Sequence, residues 1–166
     1  MPKAVGESRK DVRMQLIKES IVQPTTALPE VAVQVDRLKL AKRIWRGAAE
    51  DGLEFGFELD APLRDGHVVW QTSIARYVIR QLPEAVLEIS LAIAPSAAAG
   101  IGWAIGNLHL ELSAESKRLL TADEPAVRQL LERLKVPFTP TTALFRPGRF
   151  ARGDQSTNEL GPSHKH

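Results

Sequence analysis

The chain has 166 residues, 43% hydrophobic and 25% charged, with 22 basic against 20 acidic side chains and a formal charge of +2. That is the composition of a globular protein, long enough to bury roughly two-thirds of its unfolded surface in one moderate domain or two small ones, and too nearly neutral for charge alone to argue nucleic-acid binding. There is no cysteine, which excludes disulfides, thiolate catalysis, zinc fingers and iron–sulfur ligation, so any metal site must use nitrogen and oxygen from His, Asp and Glu.

Residues 1–12 are polar and read as a flexible arm. A mixed run over 13–22 suits a strand, and it stops at Gln23-Pro24-Thr25-Thr26-Ala27-Leu28-Pro29, where two prolines preclude helix. Val31, Val33 and Val35 then alternate with period two. Beyond Asp36, the apolar Leu38, Leu40 and Ile44 sit among Arg37, Lys39, Lys42, Arg43 and Arg46. Strand is expected there, with a short helix over 37–45 fitting nearly as well, and the basic run is either a solvated face or a docking surface for an acidic partner. Glu50-Asp51-Gly52 signals a hairpin leading into a half-buried strand in which Leu53, Phe55, Phe57 and Leu59 alternate with polar residues and Gly56. A turn at Leu63-Arg64-Asp65-Gly66 and apolar runs over 67–70 and 77–79 complete a series of short strands, the sequence form of a small β-barrel or sandwich spanning residues 13–82.

From Pro83 the pattern changes. A strand over 86–93 precedes an apolar helix over 96–105, and Gly106 is expected to take the left-handed conformation that ends it. Leu108, Leu110 and Leu112 then alternate with His109, Glu111 and Ser113, so a strand here buries the leucines and turns His109 outward. A strand over 118–121 follows. With Asp123 as N-cap and Pro125 in the first turn, Val127, Leu130, Leu131 and Leu134 fall at helical spacing. Residues 137–145 form a last extended piece. Strand, helix, strand, strand, helix, strand is the βαββαβ order of ferredoxin-like domains, giving an α+β chain whose second domain occupies 83–150. The polar tail, 151–166, is expected to be disordered. Nothing in the chain has the length of a membrane span, so the expected location is the cytoplasm, with neither membrane nor nucleic acid as partner.

Common catalytic signatures are missing: there is no GxSxG elbow, phosphate loop or HExxH pair, and the third glycine of Gly100-Ile101-Gly102 and Gly106 stands where a dinucleotide loop does not place it. The histidines remain. His67 follows the Asp65-Gly66 turn and reads as a strand start. His109 stands at the joint between helix and strand. His164 and His166 are separated by one residue, and in an extended tail they point the same way and can chelate one ion, unless the tail is simply solvated.

Four stretches, Leu63-Arg64-Asp65-Gly66, Glu84-Ala85-Val86-Leu87-Glu88-Ile89, Gly106-Asn107-Leu108-His109 and the 127–134 helix running on to Phe145-Arg146-Pro147, resemble in their order the urease accessory proteins of the nickel-metallochaperone type, usually called accessory protein E. The resemblance spans about 13–150 and takes in Asp36-Arg37-Leu38-Lys39 and Asp51-Gly52. It implies an N-terminal β domain, a ferredoxin-like metal-binding domain that dimerises, and a histidine-bearing tail. It also implies a non-enzymatic role, delivery of Ni²⁺ to the urease apoprotein in company with other accessory proteins including a GTPase. The family motif Gly-Asn-Arg-His puts the metal ligand on His109, with Leu108 in the place of the arginine; Gly66-His67 stands for glycine-aspartate, and the tail is short in histidine. His164 and His166 are the further expected ligands. Imidazole suits Ni²⁺ and would also take Zn²⁺ or Cu²⁺ in vitro. The alternative is a metal-independent adaptor that grips a partner peptide through the β domain and basic strand.

Overall fold

The computed structural model describes residues 14–151 and 157–159. It divides into two compact units, Met1–Leu82 and Pro83–His166.

The first unit contains β1 (Gln15–Ile17), β2 (Glu30–Val35), α1 (Arg37–Leu40), β3 (Ile44–Ala48), β4 (Glu54–Glu58), β5 (Val68–Gln71) and β6 (Arg76–Gln81). They form two three-stranded sheets, ordered β1-β4-β3 and β2-β6-β5. Alternation decides the inner faces. On β4, Phe55 and Phe57 are buried while Glu54 and Glu58 stay out, and Val33, Val35, Tyr77 and Ile79 of the other sheet join them in one core. Each fully buried phenylalanine or isoleucine contributes about 2–3 kcal/mol by apolar burial. Trp45 of β3 stacks on Phe57 with ring centroids 3.7 Å apart.

No closed barrel forms among the described residues. Isolated hydrogen bonds, from the Ile21 N–H to the Val68 carbonyl and from the Glu50 N–H to the Ala32 carbonyl, link one sheet to the other. With β1 only three residues long and prolines at 24 and 29, the chain has no continuous ladder there with which to close one.

The segment expected as strand or short helix after Asp36 is both in turn. Asp36 caps α1 by accepting the Lys39 N–H at 2.8 Å, Leu40 is buried, and the strand begins only at Ile44. The hairpin at Gly52 (φ 88°) is pinned by Asp51, which accepts hydrogen bonds from the Leu53 N–H (3.0 Å) and the Tyr77 hydroxyl (2.8 Å).

The second unit contains β7 (Glu84–Ser90), α2 (Pro95–Asn107), β8 (Leu112–Ala114), β9 (Arg118–Ala122), α3 (Pro125–Arg133), β10 (Thr139–Ala143), β11 (Arg149–Ala151) and β12 (Thr157–Glu159). The sheet runs β10-β7-β9-β8-β11-β12, and its first four strands pair antiparallel throughout, the ferredoxin-like arrangement. Leu87, Ile89 and Leu119 on one face meet Ile101 and Ile105 of α2 and Val127, Leu130 and Leu131 of α3. On the opposite face Val86 and Leu120 are covered by Phe145, itself fully buried.

Two expectations need correction. Asp123 does not cap α3; the N-cap is Glu124, with no side-chain hydrogen bond, while Asp123 takes both oxygens to Arg128 at 2.6 and 2.7 Å. Nor is the tail wholly without structure, because β11 pairs parallel with β8 and antiparallel with β12. Pairing with β11, and the Gly148 N–H donating to the Leu112 carbonyl, give the outer edge of β8 hydrogen-bond partners.

Candidate metal centre

The sequence of α2 has no charged residue and begins with Pro95 at its first turn, where the missing N–H costs nothing. Ile101 and Ile105 point into the core. Trp103 points away and is 73% exposed, and its neighbours three residues either side, Gly100 and Gly106, have nothing within contact distance of where a Cβ would stand. Of the three large apolar residues of this helix, Ile101, Trp103 and Ile105, only Trp103 is exposed.

The helix does not end at Gly106. It runs through Asn107 with Leu108 as C-cap, and the left-handed residue is His109, at φ 57°. The Leu110 N–H donates to the Ile105 carbonyl (3.4 Å) and the His109 N–H to the Gly106 carbonyl (2.9 Å), the paired bonds of a Schellman ending. Leu110 packs against the cluster that buries Ile105, which completes the motif's hydrophobic contact. Strand β8 therefore starts at Leu112, four residues later than the leucine alternation suggests, and Leu108 is 40% exposed. His109 is exposed, as expected, but a turn presents it instead of a strand.

Lys135 closes α3 in the same manner, at φ 54°, with the Val136 N–H on the Leu131 carbonyl and the Lys135 N–H on the Glu132 carbonyl. Neither position carries the glycine that such endings favour. A non-glycine residue in this region costs about 1 kcal/mol or more.

His67 has a structural task. Its Nδ1 accepts the Arg64 N–H at 3.3 Å while its own N–H donates to the Arg64 carbonyl, which closes the turn before β5. Burial, and secondarily the Arg64 charge, hold its pKa below the ordinary 6.5. His164 and His166 lie outside the described residues. Among the described residues no three His, Asp or Glu side chains gather as a ready ion site. A cavity of about 250 Å³ beside α2, lined by Ile89, Ile93, Ala97, Ile101 and Val136, offers no metal ligand. Among the described residues of the second unit the one imidazole is that of His109, just past the end of an uncharged helix.

Comparison with known proteins bears on this unit directly. Residues 84–166 match the family model described as UreE urease accessory protein, C-terminal domain. Over 133 residues the chain is 31% identical to the urease accessory protein UreE of Deinococcus radiodurans, covering 79% of this chain and 82% of that one. It is 27% identical over 134 residues to the UreE of a Bacillus species, covering 75% and 88%. A third relative, the UreE of Bifidobacterium longum subsp. infantis, is 30% identical over 98 residues, or 58% of this chain and 44% of its own.

Proposed function

Because the chain belongs to the UreE family of urease accessory proteins, which serve urease maturation and are not themselves enzymes, we propose that it is a cytoplasmic nickel carrier whose central ligand is His109. In this reading two chains associate through the outward face of α2, one Ni²⁺ is held between two copies of His109, and the ion passes to the urease apoprotein with the help of other accessory proteins, a GTPase among them. The observation that carries it is the placement of His109, exposed at a left-handed turn where helix termination alone would favour glycine.

The chemistry suits a carrier. Two imidazoles give an open shell that exchanges its ion, and His164 or His166 can add to it. Ni²⁺ prefers imidazole nitrogen, although Cu²⁺ binds the same donors more tightly and Zn²⁺ competes, so availability and geometry must select. Protons compete with the ion for neutral imidazole, so acid should release it.

Equilibrium dialysis against Ni²⁺ tests the reading. The wild-type chain should take up one central ion per two chains. His109→Ala should lose that ion and remain dimeric by light scattering, and removal of residues 161–166 should weaken uptake without changing the dimer. Undiminished uptake of one Ni²⁺ per dimer by His109→Ala would overturn the assignment.

A further inference from the structure

The second unit holds an apolar cavity that the metal chemistry does not use. Its volume is about 250 Å³, and it opens where β7 ends, beside the first turns of α2 and the residues that follow α3. Ile89 and Ile101, 1% and 7% exposed, form its inner end; Ile93, Ala97 and Val136 line its sides, and Lys135 stands exposed at the outer end. A lysine stem can lie along apolar surface while its ammonium stays in water. Lys135 is the one charged residue in the lining, and among the described residues no carboxylate pairs with it. Its backbone is fixed by the hydrogen bonds that close α3, and α2, which supplies Ala97 and Ile101, has no charge of its own. About 15 Å of helix separates Ala97 from Asn107, so the cavity lies apart from His109.

We infer that this cavity is a binding site for a medium-chain aliphatic carboxylate, its tail among the isoleucines and its carboxylate on the Lys135 ammonium. Size sets the chain length. An apolar cavity of ~150 Å³ takes a benzene, about six heavy atoms, and in proportion this one takes about ten, the count in octanoate. Chemistry sets the class. The walls are branched aliphatic side chains and an alanine methyl, with no aromatic ring to stack a flat ligand and no imidazole or carboxylate to hold a metal. A cation at the outer end complements a carboxylate, which a neutral head group does not match. The other polar residue of the lining, Ser90, already accepts the Ala92 N–H on its Oγ at 3.2 Å, so the charge-assisted contact falls to Lys135. An aliphatic side chain offered by a protein partner would fill the same space and leave the ammonium unmatched. The inference does not depend on the nickel reading.

The experiment titrates sodium octanoate into the full-length chain labelled at its isoleucine methyls and follows those resonances by NMR. Saturable shifts are expected at Ile89, Ile93 and Ile101, with a Kd of roughly 0.1 mM for a ligand of about ten heavy atoms. Lys135→Gln should weaken octanoate about tenfold and leave the neutral 1-octanol within about twofold, which separates the ammonium's part from the tail's. Ala97→Phe fills the cavity from α2 and should abolish the shifts with both ligands, circular dichroism checking its fold. Should that variant not fold, Lys135→Gln, at an exposed position, still decides. His109→Ala should bind octanoate as the wild type does, so loss of the metal and loss of the carboxylate are read separately. Absence of saturable shifts up to about 5 mM octanoate, shifts confined to other isoleucines, or undiminished binding by Lys135→Gln would overturn the inference. Tenfold tighter binding of a short acetylated peptide ending in leucine would also overturn it, in favour of a protein C-terminus.

Discussion

At the scale of single residues, His109 and Lys135 form a matched pair. Both occupy the left-handed position of a Schellman ending at the close of a helix in the same unit, so glycine at either should relieve backbone strain and raise stability by roughly 0.5–1 kcal/mol. The two should part in metal binding: His109→Gly loses the central Ni²⁺, Lys135→Gly keeps it, and thermal melts with parallel dialysis read both effects. A His109→Gly protein that melts well below wild type would mean that the imidazole has a packing role. His67 makes a different prediction. Its folded pKa lies below the ordinary 6.5, first through burial and then through Arg64, so the folded state binds fewer protons there than the unfolded one. The stability this confers is present above pH 6.5 and is lost as pH falls below that value toward the folded pKa. His67→Gln should accordingly flatten the dependence of Tm on pH between about 7 and 5 relative to wild type. The exposure of His109 was legible from the sequence, but its cause was not. A glycine three residues upstream looked like the natural end of the helix, and only the burial of Ile105 and Leu110 together carries the helix past it.

At the scale of elements, period-two alternation located β2 and β4 and helical spacing located α3, because in each the buried face is set by a repeating pattern, whereas short apolar runs located β5 and β6. Where packing outweighed pattern, the sequence was a poorer guide. The 37–45 stretch carries weak signals for both states, and the Asp36 cap together with the burial of Leu40 divides it. The strands β11 and β12 arise from an edge that an isolated polar segment does not announce. The covering of the sheet's second face was likewise not evident: Phe145, beyond the last ferredoxin-like strand, seals Val86 and Leu120. Phe145→Ala should therefore cost about 3–5 kcal/mol, seen as a lower urea midpoint for the second unit, with the first unit's transition unaffected. Equal shifts in both transitions would show the two units to be energetically coupled.

For the whole molecule, the change of pattern at Pro83 marks a division that the contacts also draw after Leu82, and we propose that the second unit is autonomous. A fragment of residues 83–150 should unfold cooperatively and still dimerise; a fragment without a cooperative transition would refute this. The same arrangement gives the protein an internal optical reporter. Of the three tryptophans, Trp45 is buried against a ring, Trp70 is half-buried, and Trp103 stands in water on the face assigned to the second copy. Red-edge emission accessible to acrylamide should thus come chiefly from Trp103, and dilution past the point of dissociation should increase it. The concentration at which the spectrum moves would then give the strength of association directly, without a label and in the presence or absence of nickel.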